Sequence, residues 1–170
     1  MLTQRPDAKI EVRLAGVLSP TDRAIGERYP FVQMPGYLDH ADSIALLRSA
    51  DLLFLPMHEL PDGERATIVP GKTYEYVASG RPILAAVPEG DARDILEAAG
   101  TARIVRPSDV DAMTAAILAE LDRRAAGEAT APPDPELVGR YEYRHLAGSL
   151  AEVFDRVMAT PAAVRARALV

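Results

Sequence analysis

The chain has 170 residues, 26% of them charged and 48% hydrophobic, with a net charge of −6. That is enough for one ordinary domain with a core and too little for two of typical size, and the balance is that of a soluble globular protein. Scattered Lys and Arg argue against nucleic-acid binding, absent cysteine excludes disulfides and thiolate metal sites, and three scattered histidines (His40, His58, His145) argue against a histidine-rich metal site.

No apolar run approaches the roughly 20 residues a membrane-crossing helix needs, and residues 1–6 lack a secretory signal core. The expected location is therefore cytoplasmic, with membrane association left open for a longer protein. Residues 2–6 read as the tail of a helix. Five short apolar segments then read as strands: residues 10–16, 31–36, 52–57, 82–88 and 102–107. The third and fourth, LLFLP and ILAAV, run apolar without alternation, which predicts strands covered on both faces of a parallel sheet. Helical character lies between and after them. Residues 42–50 begin acidic, and residues 91–99 stop at Gly100. Along residues 109–124, Val110, Met113, Ile117, Leu118 and Leu121 share one stripe. The alternation predicts an α/β fold, a Rossmann-like parallel sheet flanked by helices. The expected organisation is a domain over residues 1–125, an Ala/Gly/Pro-rich linker over 126–135, a terminal helix over 136–160 and a tail over 161–170. Tyr143, Leu146, Leu150, Val153, Phe154 and Val157 make an apolar stripe along that helix.

Ligands of open parallel sheets bind beyond the carboxyl ends of the strands. The longest loop at that edge runs over residues 58–69 and carries Glu59, Asp62, Gly63, Glu64 and Arg65. It ends in Pro70-Gly71-Lys72-Thr73, where proline suits a first helical turn and the helix start offers unpaired N–H groups to an anion. The trio Gly71-Lys72-Thr73 is not a P-loop: position 66 is Ala where the motif needs Gly, and no strand runs into it. The GxGxxG fingerprint of dinucleotide binding is absent, and Asp51 precedes its strand, so a phospho-acceptor receiver is excluded. Glu75 reads either as a surface glutamate stabilised by the helix dipole or as a carboxylate holding two ribose hydroxyls. Lys72 reads either as a solvated cation or as a partner of a diphosphate. Tyr74 and Tyr76 read as packing residues, His58 as a solvated loop histidine, and Tyr37 as a surface tyrosine or the border of a nucleobase site.

The order of these segments carries a resemblance. ALLRSADLLFLP (residues 45–56), PGKTYEYVASGRPILA (70–85), PEGDARDIL (88–96) and IVRPSDVDAMTAAI (104–117) resemble the C-terminal domain of retaining glycosyltransferases of the GT-B architecture, over residues 9–158. The middle block is the specific part. The resemblance implies a domain that binds a nucleoside diphosphate sugar without a metal or other cofactor. It implies that Glu75 holds the ribose, that Val69, Gly71 and Lys72 face the phosphates, and that Gly36 and Tyr37 lie beside the base. Eight residues before the ribose-binding glutamate the family commonly carries a second glutamate against the donor sugar; this chain has Thr67 there, with Glu59 and Glu64 as conceivable substitutes. The implied reaction is transfer of a hexosyl group to a hydroxyl acceptor. Two alternatives stand beside it: a non-catalytic nucleotide-binding or regulatory module, and a GT-B sugar epimerase fragment.

The resemblance also implies an acceptor-binding N-terminal domain and a first strand, neither of which is in this sequence, so the chain alone is expected to be inactive in transfer. In the resembled strand order 3-2-1-4-5-6 the missing strand is central. Its removal leaves two unpaired strand edges, and direct pairing across the gap would remove about 4.8 Å of sheet width. The expectation is marginal stability or self-association.

Overall fold

The computed structural model describes residues 5–6 and 8–159. The predicted helix tail at residues 2–6 lies mostly outside that range, and residue 160 with the 161–170 tail lies wholly outside it. The chain divides into two compact units, Met1–Pro132 and Pro133–Val170.

The first unit alternates strand and helix: β1 (Val12–Ala15), α1 (Pro20–Gly26), β2 (Val32–Gly36), α2 (His40–Ser49), β3 (Leu53–Pro56), α3 (Lys72–Ser79), β4 (Ile83–Ala86), α4 (Asp91–Ala99), β5 (Ala102–Val105) and α5 (Val110–Ala125). Every strand pairing is parallel, and the fold is Rossmann-like α/β. The strands form two sheets, β1 with β2 and β3-β4-β5 in that order; among the described residues β1 and β3 are not partners. Register in the larger sheet is unbroken from Leu53↔Ile83 to Pro56↔Ala86 and from Ile83↔Ala102 to Ala86↔Val105. The smaller sheet shifts register between Arg13 and Ala15.

Local chemistry explains the helix ends. Asp39 and Asp109 accept from the N–H groups of Asp42 and Ala112, both at 2.8 Å, and so cap α2 and α5. Gly80 and Gly100, each at φ 67°, end α3 and α4 in the left-handed conformation that glycine adopts without a Cβ penalty. Helix α1 has no counterpart among the expected elements. Its signal is Ser19-Pro20-Thr21-Asp22: the Ser19 hydroxyl accepts from the Asp22 N–H at 3.1 Å, and Pro20 occupies the first turn.

The core of this unit lies on the larger sheet. β4 is buried at all four positions, flanked by Leu53 and Leu55 of β3, Val77 of α3, Leu96 of α4 and Ala116 of α5. The expectation that LLFLP is covered on both faces is corrected: Leu53 and Leu55 are buried, but Phe54 is 45% exposed and Pro56 is exposed. Alternate side chains of a strand point to opposite faces of the sheet, so β3 is covered on the face of Leu53 and Leu55 and open on the face of Phe54 and Pro56. Val110, counted on the apolar stripe of α5, is exposed in that helix's first turn.

In the second unit the expected single helix over residues 136–160 is two helices, α6 (Pro135–Arg140) and α7 (Tyr143–Ala159). The chain leaves α6 at Tyr141, just after the weak helix former Gly139, and the Tyr141 N–H turns back to the Val138 carbonyl at 3.1 Å.

Candidate functional site

A helix joining two adjacent parallel strands runs antiparallel to them, so α3, between β3 and β4, begins at the carboxyl edge of the larger sheet. Its own sequence sorts its faces. Thr73 and Val77, four apart, are fully or nearly fully buried, whereas Gly71, Lys72 and Glu75 are exposed together on the other side. Tyr74 and Tyr76 are half-buried, as packing residues are, and burial, with a smaller contribution from the neighbouring Glu75 carboxylate, pushes the Tyr76 phenol up.

The first turn of α3 has no side-chain cap. The N–H groups of Thr73 and Tyr74 turn back to the carbonyls of Pro70 and Gly71, at 2.9 and 3.3 Å. Those of Gly71 and Lys72 have no acceptor among the described residues. Two open donors, the positive end of the helix and the Lys72 ammonium beside them constitute an anion-binding arrangement. Thr73 adds a further feature: its hydroxyl oxygen is buried and has no hydrogen-bond partner. A buried hydroxyl without a partner is uncommon in a folded interior.

The loop from Met57 to Gly71 that delivers the chain into α3 is held from both sides. On one side the Ala66 N–H donates to the Glu89 carbonyl at 2.8 Å and the Asp91 N–H donates to the Ala66 carbonyl at 2.9 Å, a parallel bridge between Ala66 and Gly90. Gly90 is at φ 145°, and a Cβ there would stand 2.1 Å from the Ala66 carbonyl oxygen, so only glycine fits. An ion pair between Arg65 and Asp94, 2.6 Å, lies alongside. On the other side the Glu59 carboxylate accepts from the Ser108 hydroxyl at 2.7 Å and the Ser108 N–H at 3.1 Å, and Arg106 bridges Glu59 and Asp62. The Ser108 hydroxyl, more than Arg106, holds the Glu59 carboxyl below its ordinary range, while Asp62 first and Glu59 second hold the Arg106 guanidinium above its own. The loops after β4 and β5 thus fix the loop after β3 and, through the Ala66 bridge, the adjoining Thr67.

The sequence-derived site residues fall into two groups. Thr67, Val69, Gly71, Lys72 and Glu75 occur on one continuous segment, with Thr67 exposed and Val69 half-buried. Gly36 ends β2 and Tyr37 follows it; among the described residues that strand pairs within the smaller sheet, and Tyr37 is 80% exposed. Strand pairing therefore does not join these two residues to α3. Glu59, a conceivable substitute for a sugar-binding glutamate, is engaged by Ser108 and Arg106; Glu64 is exposed. His58 is exposed. Gly90, Asp94, Arg106 and Ser108 were not legible as partners of the loop, because each acts from a distant part of the chain. The one signal available was Gly90 itself, a glycine directly before a helix start. Among the described residues no group of three or more His, Asp and Glu side chains is arranged to hold a metal ion.

The sequence model of the family described as glycosyl transferases group 1 matches residues 1–123. The chain belongs to this family. Within the glycosyl transferases group 1 frame, the matched residues include both sheets, the long loop and the whole of α3. No curated protein matches the chain. Among solved structures, a crystal structure described as a UDP-N-acetylglucosamine 2-epimerase of Listeria monocytogenes is similar, with a TM-score of 0.54 and 19% identity over 94% of this chain and 39% of that one. At that identity the likeness establishes the fold, a GT-B-type α/β arrangement, and nothing finer. This group 1 chain spans about two fifths of that protein's length. No helix among its described residues is long and apolar enough to cross a membrane.

Proposed function

We propose that this chain is the donor-binding part of a metal-independent, retaining glycosyltransferase that moves a hexosyl group from a nucleoside diphosphate sugar to a hydroxyl acceptor. The observation that carries the reading is the start of α3: two N–H groups without acceptors, Lys72 beside them and Glu75 exposed one turn on, in a chain of the glycosyl transferases group 1 family. In this reading Gly71 and Lys72 meet the diphosphate, with Val69 shaping the approach, and stabilise the charge that builds on it as the sugar departs. Glu75 accepts two ribose hydroxyls, Thr67 faces the donor sugar, and Gly36 and Tyr37 border the base. The acceptor is held by a segment outside this sequence. The chain alone therefore binds donor without transferring the sugar, since proximity of both substrates supplies much of such a rate.

Glu75→Gln tests the reading. It removes a charged acceptor and leaves the fold alone, because the side chain is exposed, so nucleotide binding weakens by about 1.5–3 kcal/mol while the unfolding midpoint stays put. Titration calorimetry, after a thermal-shift screen of UDP, GDP and ADP sugars has identified the nucleotide, measures this. Equal affinity in both proteins would remove Glu75 from the site; no response to any nucleotide would favour a non-catalytic module.

A further inference from the structure

At the opposite edge of the larger sheet, where β3 and β4 begin, lies a cavity of about 360 Å³. Its wall holds four arginines, Arg48, Arg81, Arg123 and Arg124, against one carboxylate, Asp51. The setting is unusual for this chain, whose net charge is −6. Two of the arginines are accounted for. Arg124 pairs with Asp51 at 2.7 Å, and Arg123 pairs with Glu120 at 2.6 Å and donates to the Glu128 carbonyl. Among the described residues the guanidinium groups of Arg48 and Arg81 have no hydrogen bond or ion pair.

Arg48 stands in the last turn of α2 and is exposed, so the carbonyl end of that helix gives it a structural reason to be there. Arg81 has no such reason. It follows the Gly80 that ends α3, is half-buried, and holds its place by a backbone N–H donated to the Ser79 hydroxyl at 3.1 Å. A half-buried arginine that faces a cavity has its guanidinium free to take up an anion such as a carboxylate or phosphate. Two unmatched guanidinium groups balance one dianion, and the fork of an arginine matches phosphate oxygens in pairs. The cavity is larger than inorganic phosphate requires and falls within the range that holds small organic ligands.

We infer that this arginine-lined cavity is a second binding site, for a small phosphate monoester, separate from the donor site at the other edge of the sheet. The phosphate group sits between Arg48 and Arg81, and the remaining volume receives the organic part. The inference does not depend on the donor reading, since none of the cavity's residues belongs to the α3 start or its loop.

Calorimetry and thermal shift on the whole chain, with glycerol 2-phosphate and inorganic phosphate as probes and chloride and sulfate at matched ionic strength, test it. Glycerol 2-phosphate raises the melting midpoint more than chloride or sulfate does. The variant R48Q/R81Q weakens its binding by about tenfold or more, and Lys72→Ala leaves that binding unchanged. Inorganic phosphate acting as well as the monoester would reduce the site to a simple anion site and overturn the monoester assignment. Equal effects of all the anions, binding that survives R48Q/R81Q, or binding lost in Lys72→Ala instead would overturn the site itself. So would binding of a poly-glutamate peptide without the monoester. Because R48Q/R81Q alters a cavity wall, its own melting midpoint without ligand is recorded, and the single variant Arg48→Gln, at an exposed position, gives the same reading with the fold undisturbed.

Discussion

The two sheets of the first unit are built from the same kind of segment and end in different states. In the larger one β4 is sealed on all sides, and Leu55, Ile83 and Leu96 are almost completely withdrawn from water. In the smaller one no strand residue is buried; Leu14 is exposed, and the buried residue nearby is Gly26 of α1. The difference follows from neighbours. β4 has a strand on each side and α5 packed over it, whereas among the described residues β1 and β2 pair with each other and the main helix packed on them is α1, against β2. A parallel pair alone is less stable than a covered sheet, because parallel strands bury well only when both faces are packed. The candidate donor site is mounted on the stable half: α3 packs through Thr73 and Val77, and its loop is held by the ends of β4 and β5. A ligand site gains from such rigid support, since donors already in place need no ordering when the ligand arrives.

The comparison can be broken most directly by truncation. Leu96→Ala or Leu55→Ala removes a buried side chain from the larger sheet and costs about 2–5 kcal/mol, while Leu14→Ala on β1 costs less than about 1 kcal/mol. Urea unfolding measures both, and similar losses at the two places would mean that the halves share one core after all. A finer contrast uses glycine. Gly90→Ala meets the backbone of Ala66 and costs about 3 kcal/mol, by strain and overpacking together. Gly16→Ala on the smaller sheet, at φ 127° with open space around it, costs about 1 kcal/mol of backbone strain alone. In the Gly90 variant nucleotide binding also weakens, because the loop entering α3 loses its bridge; binding retained at full strength would show the loop to be irrelevant to the site.

The unpaired edges of β1 and β3 carry a third expectation. Together with exposed Phe54 they favour association between copies, which sedimentation at several concentrations detects, and Phe54→Lys reduces it by placing a charge on the edge. A monomer at every concentration would show that these edges are already satisfied. The smallest effect concerns Glu59. Its folded carboxyl titrates below the ordinary glutamate value, so its contribution is present above that value and is lost as the pH falls through the lower, folded one. Acidification therefore loosens the loop at Ser108 before the strands of the larger sheet respond, and Glu59→Gln removes this step. Amide spectra of Ser108 followed against pH report it; a Ser108 signal that moves only with global unfolding would contradict it.

Much of this was written locally. Apolar runs marked the five strands, Asp109 and Gly100 marked helix ends, and the segment from Pro70 to Ala85 resembled the glycosyltransferase domain whose family the chain belongs to. Such signals are legible because each depends on backbone preferences and hydrogen bonds within a few residues. The exposure of Phe54 was not legible, since LLFLP looks the same whether one face of its strand is covered or both; what packs on each face decides, and that comes from elsewhere in the chain. The same holds for the ties of Ala66 to Gly90 and of Glu59 to Ser108, which join residues 24 and 49 apart in sequence. Sequence alone marked the five strands, most of the helices between them and the start of α3 at Pro70-Gly71-Lys72. Only the tertiary structure decided which strand is sealed, which loop is held and which arginines are left without a partner, because burial and charge pairing are properties of what the fold brings together.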